Sequence, residues 1–482
     1  MSKRRDFIKR SVLGTAGIAI GGIGFSAKSY SSIIGANERI NLAVIGIRNR
    51  GKDHIDELCQ LKDISNIRLI TICDADEQFF AERSKTILDK TGVKPTTEWD
   101  MRKVFDNPAV HAVTFATPNH WHALGTIWAC QAGKHVYVEK PCCHNIFEGQ
   151  KMIEASRKYK VRVQVGFQNR SVKNMIEAIK FLHDGGIGDV YMARGLCLKP
   201  RDSYGIAKDS TPPDTLHYDR WLGPAPWRQY NEKRSHYNWH WYWDTGNGET
   251  GNQGPHQFDV ARWGLNKNEH PISVYSTGGI YGFRQDESTP ANRTPGVIAY
   301  GGVETYGTDK TSQETPNAQS CLFKYADGKM VEFETRNRYT NTESSLGISV
   351  GNIFYGTEGY MELYGEDASS WKAFRGREKT PFAGSKEEKN EAPDPTFTKA
   401  PSGTEHWINF IDAIRSGKNE TLNCDIIEGH YSCALPHMAN ISYRLGRGLE
   451  FKGDTEKFVN DPEADSMLTR LYRKPYVIPD EV

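Results

Sequence analysis

The sequence predicts an α/β chain in two parts: a doubly wound parallel-sheet domain, then an α+β domain on an open, mainly antiparallel sheet. Three observations carry this reading. Apolar strands alternate with helical patterns between residues 39 and 167, as a parallel sheet with crossover helices requires. The first of those strands runs into a glycine-bearing turn that opens a helix. Beyond residue 270, short alternating runs are separated by turn residues, as in an antiparallel sheet.

Taken in order, Arg39 to Gly46 (RINLAVIG) reads as a buried strand, and Ile47-Arg48-Asn49-Arg50-Gly51 leads into a helical pattern from Lys52 to Leu61. Glycines at such a turn let the backbone approach a pyrophosphate, and the following helix N-terminus favours its charge. The fingerprint is degenerate, because Arg48 stands where GxGxxG has its second glycine. Asn66 to Cys73 forms the next strand and ends at Asp74, 23 residues after Gly51. A carboxylate there accepts from an adenosine ribose and disfavours a 2′-phosphate, which points to NAD over NADP without excluding NADP. Val110 to Ala116 runs into Thr117-Pro118-Asn119-His120-Trp121-His122; a helix to about Ala132 and the strand His135 to Val138 deliver Glu139-Lys140-Pro141. Val161 to Phe167 supplies a further strand. This is the Rossmann pattern, assigned to residues 38–160.

The second domain, residues 161–445, begins with a helix (Val172 to His183) and a strand (Asp189 to Leu198). Residues 199–251 show little periodicity and many prolines, glycines and tryptophans, and a long irregular segment inside a compact domain is usually functional. Alternating runs follow at Ile272 to Tyr275, Cys321 to Lys324, Met330 to Arg336 and Ile348 to Leu363, with a hairpin turn at Asp327-Gly328. Glu366 to Pro401, rich in charge and proline, reads as a loop. Helical patterns at Glu405 to Ser416 and Ile426 to Leu445 precede a terminal tail, residues 446–482.

At 482 residues with a formal net charge of +1, the chain is an ordinary globular protein without the basic runs of a nucleic-acid partner. Residues 1–27 differ: Lys3-Arg4-Arg5-Asp6-Phe7-Ile8-Lys9 precedes a glycine-rich apolar run, too short for a comfortable membrane span. The paired arginines resemble a twin-arginine (Tat) signal, which implies the Tat machinery as partner and a periplasmic destination, with membrane anchoring if the signal is retained. The nine cysteines are scattered with no CxxC pair, which gives neither a zinc site nor a disulfide framework.

The order GxxxxG, acidic strand end, ATPxxxH (residues 116–122) and EKP (residues 139–141) resembles the glucose–fructose oxidoreductase/inositol dehydrogenase (Gfo/Idh/MocA) family. The resemblance implies cofactor contacts at Gly46, Arg48, Gly51, Asp74, Thr117, Pro118, Asn119, His122, Glu139 and Lys140. It places Lys140 beside the nicotinamide and the substrate hydroxyl. WLGPAPW at Trp221, NWHWYWD at Asn238 and GNQGPHQFD at Gly251 look like an exported bacterial subgroup. In the polyol and sugar dehydrogenases a helix carries Asp-x-x-x-His; here His256 takes the His place and Asn252 that of the Asp. Asn can orient a hydroxyl but cannot act as a base, so Lys140 and His256 are expected to be the catalytic pair, with Asn252 positioning. Whether Glu249 or Asp244 supplies the missing carboxylate stays open at this stage.

Hydride transfer from a sugar carbon needs a base on its hydroxyl and a site that excludes water. Trp239, Trp241, Tyr242 and Trp243 are expected as stacking walls, with Arg201 and Asp259 as polar substrate contacts. His236 and His240 are four residues apart but lack a third ligand, so no metal site is expected. The implied activity is NAD-dependent oxidation or reduction of a ring hydroxyl of a sugar or glycoside. Two alternatives remain: an NAD-dependent glycosidase working by transient oxidation and elimination, and a non-catalytic sugar-binding protein. The family also implies a homo-oligomer formed through the C-terminal sheet.

Overall fold

A computed structural model describes residues 39–282, 284–285, 310–345, 347–365, 370–385 and 403–482. The signal-like segment 1–27 and parts of the stretch 366–401 lie outside the described residues. The first domain is a six-stranded parallel sheet in the order β3-β2-β1-β4-β5-β6. Its strands are β1 (Ile40–Ile45), β2 (Ile67–Cys73), β3 (Thr96–Glu98), β4 (Ala112–Phe115), β5 (His135–Val138) and β6 (Val163–Val165). The crossover helices are α1 (Asn49–Gln60), α2 (Phe80–Thr91), α3 (Met101–Asp106), α4 (Asn119–Gln131) and α5 (Ile146–Lys158). Strand order reverses between β1 and β4, and there the carboxyl ends of the strands leave a crevice for a ligand.

Both faces of this sheet are covered, which explains the near-continuous apolar runs. Along β1, Ala43 and Ile45 join one core while Leu42 and Val44 join the other. The second core receives Trp407, Phe410, Ile411 and Ile414 from α10 (Glu405–Ser416), so a helix late in the chain returns to cap the first domain. Tyr476, Ile478 and Val482 join the first core, so the terminal residues are docked structure rather than a loose tail.

The second domain carries a ten-stranded sheet in the order β16-β15-β14-β13-β7-β12-β11-β8-β17-β18. Its strands are β7 (Val190–Cys197), β8 (Ser273–Gly279), β11 (Ala318–Lys324), β12 (Met330–Arg336), β13 (Val350–Gly356), β14 (Gly359–Tyr364), β15 (Ser370–Arg375), β16 (Ala383–Gly384), β17 (Leu449–Lys452) and β18 (Lys457–Phe458). A separate pair, β9 (Arg284–Gln285) and β10 (Lys310–Thr311), lies outside it. All its strand pairs are antiparallel except β7–β12. Two expectations change here. The segment read as a loop from Glu366 contains β15 and β16, and the tail contributes β17 and β18 at the sheet edge.

The remaining helices are α6 (Lys173–His183), α7 (Tyr218–Leu222), α8 (Gly248–Asn252), α9 (Gly254–Gly264), α11 (Ile426–Leu445) and α12 (Pro462–Ser466). The helix α9 lies against the sheet because Gly195 of β7 has no side chain; a Cβ there would stand 2.7 Å from that of Gln257. Asn352 of β13 then donates to the Gln257 carbonyl at 3.0 Å, which fixes the helix segment bearing His256. Among the described residues no helix is long and apolar enough to cross a membrane. All nine cysteines are buried free thiols.

Candidate active site

At the end of β1, Gly46 has φ +84°, and a Cβ on Gly51 would fall 1.8 Å from the Gly46 carbonyl oxygen. The turn closes onto α1 only with glycine at both places. No side chain caps the N-terminus of α1 and no acidic residue sits in its first turn, so its N–H groups are available to an anion. This turn borders a cleft of about 760 Å³ that also takes in Asp74, Thr117 and Pro118. Thr117 Oγ1 and Asn119 Nδ2 are buried without a partner, as groups that await a polar ligand are. The residues present therefore fit a dinucleotide.

Asp74 lines this cleft, and its carboxylate accepts from the Ile47 N–H at 2.8 Å and the Asp76 N–H at 2.9 Å. Burial pushes its pKa up, against those two bonds. Arg48 also lines the cleft; it pairs with Asp76 at 3.2 Å and lies over Phe79. Two residues expected at the cofactor are occupied elsewhere. Both ring nitrogens of the buried His122 face backbone carbonyls, Pro141 at 2.7 Å and Thr117 at 2.8 Å, so this side chain braces the two loops. Glu139 accepts from Arg50 at 2.8 Å, His54 at 3.0 Å and Gln168 at 3.0 Å. Burial opposes its charge, but Arg50 and His54 hold the carboxyl well below the usual range, so Glu139 is a buried anionic hub behind Lys140.

Lys140 Nζ donates to the Asn252 carbonyl at 3.0 Å, joining the end of β5 to α8 across the two domains. Burial pushes its pKa down, against the opposing pull of Glu139 and Glu249. Desolvation, and then Lys140, likewise lower the pKa of His256 far below that of a free imidazole. His256 stands edge-on to Phe167 at 5.9 Å, and its Nδ1 is buried without a partner. The site thus combines a lysine biased toward its free base with a neutral imidazole.

The open question of the carboxylate has a geometric answer. Asn252 Nδ2 donates to Glu249 Oε1 at 3.3 Å, and Glu249 is 1% exposed. Arg201 grips the same carboxylate with two nitrogens, one at 2.9 Å. Asp244 instead pairs with Arg228 at 2.5 Å. Glu249, which sequence reasoning could only offer beside Asp244, completes a line from Lys140 through Asn252 and Glu249 to Arg201. Arg201 in turn borders a second cleft of about 740 Å³, with Tyr237, Trp241, Gln313, Asn317 and Asn337 among its walls.

The aromatic loop divides between the clefts. Trp239 lines the nucleotide cleft, while Trp241 lines the polar one beneath the Arg201 guanidinium. Tyr242, Trp243 and Asp259 are not walls of either cleft. Tyr242 is bonded through its hydroxyl to Ser312 at 2.5 Å, and Trp243 lies under Arg444. Asp259 is 1% exposed and held by Arg170 at 2.9 Å and Ser432 at 2.6 Å, a structural ion pair. His236 and His240 diverge: His236 Nε2 faces Asp76 at 3.2 Å, and His240 Nδ1 faces the Tyr237 carbonyl at 2.5 Å. His240 stacks on Trp239 and feels the charge of Lys140, a proximity that its place among tryptophans did not signal.

The fold and this site define a two-domain protein with a dinucleotide crevice and a partly buried lysine and histidine, Lys140 and His256, at the domain junction. The family model for the Gfo/Idh/MocA oxidoreductases, described as an NAD-binding Rossmann fold, matches residues 40–167. That for the family's C-terminal alpha/beta domain matches residues 204–279 and 353–478. The chain belongs to the Gfo/Idh/MocA oxidoreductase family. It is similar to levoglucosan dehydrogenase of Pseudarthrobacter phenanthrenivorans, 33% identical over 128 residues, 27% of this chain and 32% of that one. It also matches glycosyl hydrolase family 109 protein 1 of Shewanella sp., 25% identical over 172 residues, 32% of this chain and 37% of that one. The matched stretches thus span only about a third of either relative. Among solved structures, the WlbA dehydrogenase of Bordetella pertussis, in complex with NADH and UDP-GlcNAcA, shares the fold at a TM-score of 0.59. That match is 20% identical and covers 86% of this chain and 99% of that one.

Proposed function

We propose that this chain is a periplasmic enzyme, exported by the Tat route, that oxidises or reduces a ring hydroxyl of a sugar or glycoside with tightly held NAD. The observation that carries the reading is Lys140, biased toward its neutral form and tied through Asn252 and Glu249 to the polar cleft. NAD bound in the crevice would supply the hydride acceptor or donor. The chain's own part is proton traffic and positioning. In the oxidising direction, the Lys140 amine accepts the hydroxyl proton, assisted by the neutral His256 imidazole. Asn252, held by Glu249, presents at the end of α8 the carbonyl that receives the lysine.

Tight retention rests on a clamp over the nucleotide cleft. Glu77 N–H donates to the Thr215 carbonyl at 2.9 Å and His217 N–H to the Ala75 carbonyl at 2.8 Å, so the second-domain loop pairs with the strand end that bears Asp74. Trp221, His236 and Tyr476 extend the same rim. A retained cofactor suits a protein loaded before export. The exposed cross-strand pair Tyr275 and Leu322, 51% and 44% accessible on the sheet's outer face, supports a homo-oligomer through that face.

The test is mass spectrometry of products from free sugars and simple glycosides with no NAD added. A product two mass units lighter, paired with a reduced co-substrate, is expected. Cleaved glycoside without net oxidation would move the protein to the second reading, an NAD-dependent glycosidase, which the family 109 relative favours. Turnover should vanish in Lys140→Ala and His256→Ala while NAD stays bound; full activity in both would overturn the site. Replacing Arg4 and Arg5 by lysines should block export, and normal delivery would overturn the Tat reading.

A further inference from the structure

A second cluster of chemistry-bearing side chains lies apart from the catalytic line, in the second domain. His270 precedes β8, His430 lies on α11, and Glu456 sits in the turn between β17 and β18. His430 Nε2 is 2.9 and 3.0 Å from the two Glu456 oxygens, and His270 Nε2 is 3.0 Å from Oε1. One ligand atom from each residue lies within 4.8 Å of the others. The imidazoles are 6% and 1% exposed, nearly perpendicular at 87°, and walled by Tyr431 and Phe451.

Among the described residues the ion-pair partners of Glu456 are these two histidines. Gln150 of α5 donates to Glu456 Oε2 at 2.7 Å and orients the carboxylate from outside, as an outer partner of a metal ligand does. Glu456 has φ +48°, a conformation that glycine takes at less cost, so the chain sets a carboxylate where the backbone alone would favour none.

We propose that His270, His430 and Glu456 form a binding site for a divalent transition-metal ion, zinc foremost, that ties the β17–β18 turn to α11 and to the segment before β8. Two imidazoles and a carboxylate suit zinc, whereas magnesium and calcium take oxygen ligands. Bonds of about 2.0–2.2 Å in a tetrahedral arrangement place ligand atoms about 3.3 Å apart, so as the ion enters the carboxylate withdraws by a few tenths of an ångström and any wider pair, now within 4.8 Å, closes toward that spacing. The Glu456 side chain is 17% exposed, which leaves an entry path and a fourth position for water. The ion is a structural tie with no part in hydride transfer.

Zinc alone is the probe, titrated into the full-length protein in competition with a chromophoric chelator. One zinc per chain is expected, with a rise in Tm on adding zinc. Glu456→Gln should weaken binding at least about tenfold and remove the Tm response. His270→Gln serves as a second variant, with far-ultraviolet circular dichroism to establish that each has folded. Cobalt should give a d–d spectrum in the parent protein that both variants lack. No stoichiometric zinc in the parent, or equal affinity in the parent and both folded variants, would overturn the site.

Discussion

The replacement of a family aspartate by Asn252 makes a sharp prediction, because restoring the aspartate should harm the protein rather than improve it. Asn252 Nδ2 stands 3.3 Å from Glu249 Oε1, so Asn252→Asp sets two carboxylates almost in contact. At an effective dielectric of 20, unit charges at that distance repel by about 5 kcal/mol. Asn252 is half-buried, so solvent screening leaves about half of that, roughly two pKa units. The new carboxyl would then titrate near pH 6 in the folded state, about two units above its unfolded value. A raised carboxyl pKa means the folded state binds more protons, so stability falls as pH rises between about 4 and 6 and stays low above. Relative to the parent, the variant should lose about 1.5–2 kcal/mol between pH 4.5 and 8, measured by chemical denaturation at each pH. Its turnover at pH 8 should fall as well, since Lys140 hydrogen-bonds the backbone of the displaced residue. A variant as stable and as active at pH 8 as the parent would refute the claim that Glu249 already supplies the site's carboxylate.

Three further outcomes follow from named contacts. His217→Ala removes a ring stacked on Trp99 at 4.2 Å and a bond to Glu77 at 2.6 Å, about 2 kcal/mol of clamp, so NAD should leave about 30-fold faster in a desalting or fluorescence assay; unchanged retention would show that the rim does not hold the cofactor. Asp74→Ala should weaken NAD about tenfold or relax its preference over NADP, checked by titration calorimetry of protein stripped of cofactor. Buried His120 and His135 have pKa values pushed down to about 3, and His406 and His437 to about 4, by desolvation. A depressed histidine contributes stability above pH 6.5 that is lost as pH falls toward its folded pKa. At pH 5.5 each of the four costs about 1.4 kcal/mol, so urea midpoints should drop steeply from pH 7.5 to 5.5, and a flat profile would overturn the burial assignment.

Much of the fold was legible because its signals are local. The strands β1, β2, β4 and β5 announced themselves as apolar runs, and α10 and α11 were read to their last residues. Gly417 and Gly446 terminate those two helices in the left-handed conformation, and Asp425 caps the second. What was not legible is non-local. The parallel pairing of β7 with β12 joins segments about 140 residues apart, and the edge strands β17 and β18 are too short to show a period. The site divides the same way. Motif order proposed Lys140, Asn252 and His256, and the structure brings Lys140 to the Asn252 carbonyl, but the preference for Glu249 over Asp244 depends on where Arg201 and Arg228 reach. His122, Glu139 and Asp259 carry the right chemistry and spend it on neighbours in the fold, and no sequence spacing shows that a hydrogen-bonding group is already satisfied.

The aromatic loop forms a partition between two clefts. Residues Asn238–Trp241 form a single 3₁₀ turn in which Trp239 faces the dinucleotide crevice and Trp241 the polar cleft. His240 lies between them, stacked on Trp239 at 3.6 Å. Thr245 Oγ1 donates to the Trp239 carbonyl at 2.8 Å, and the Gly246 backbone packs so close to His240 that a Cβ there would lie 2.4 Å from its carbonyl oxygen. The turn is therefore braced by Thr245 and Gly246, and its two tryptophans supply a wall to each cleft.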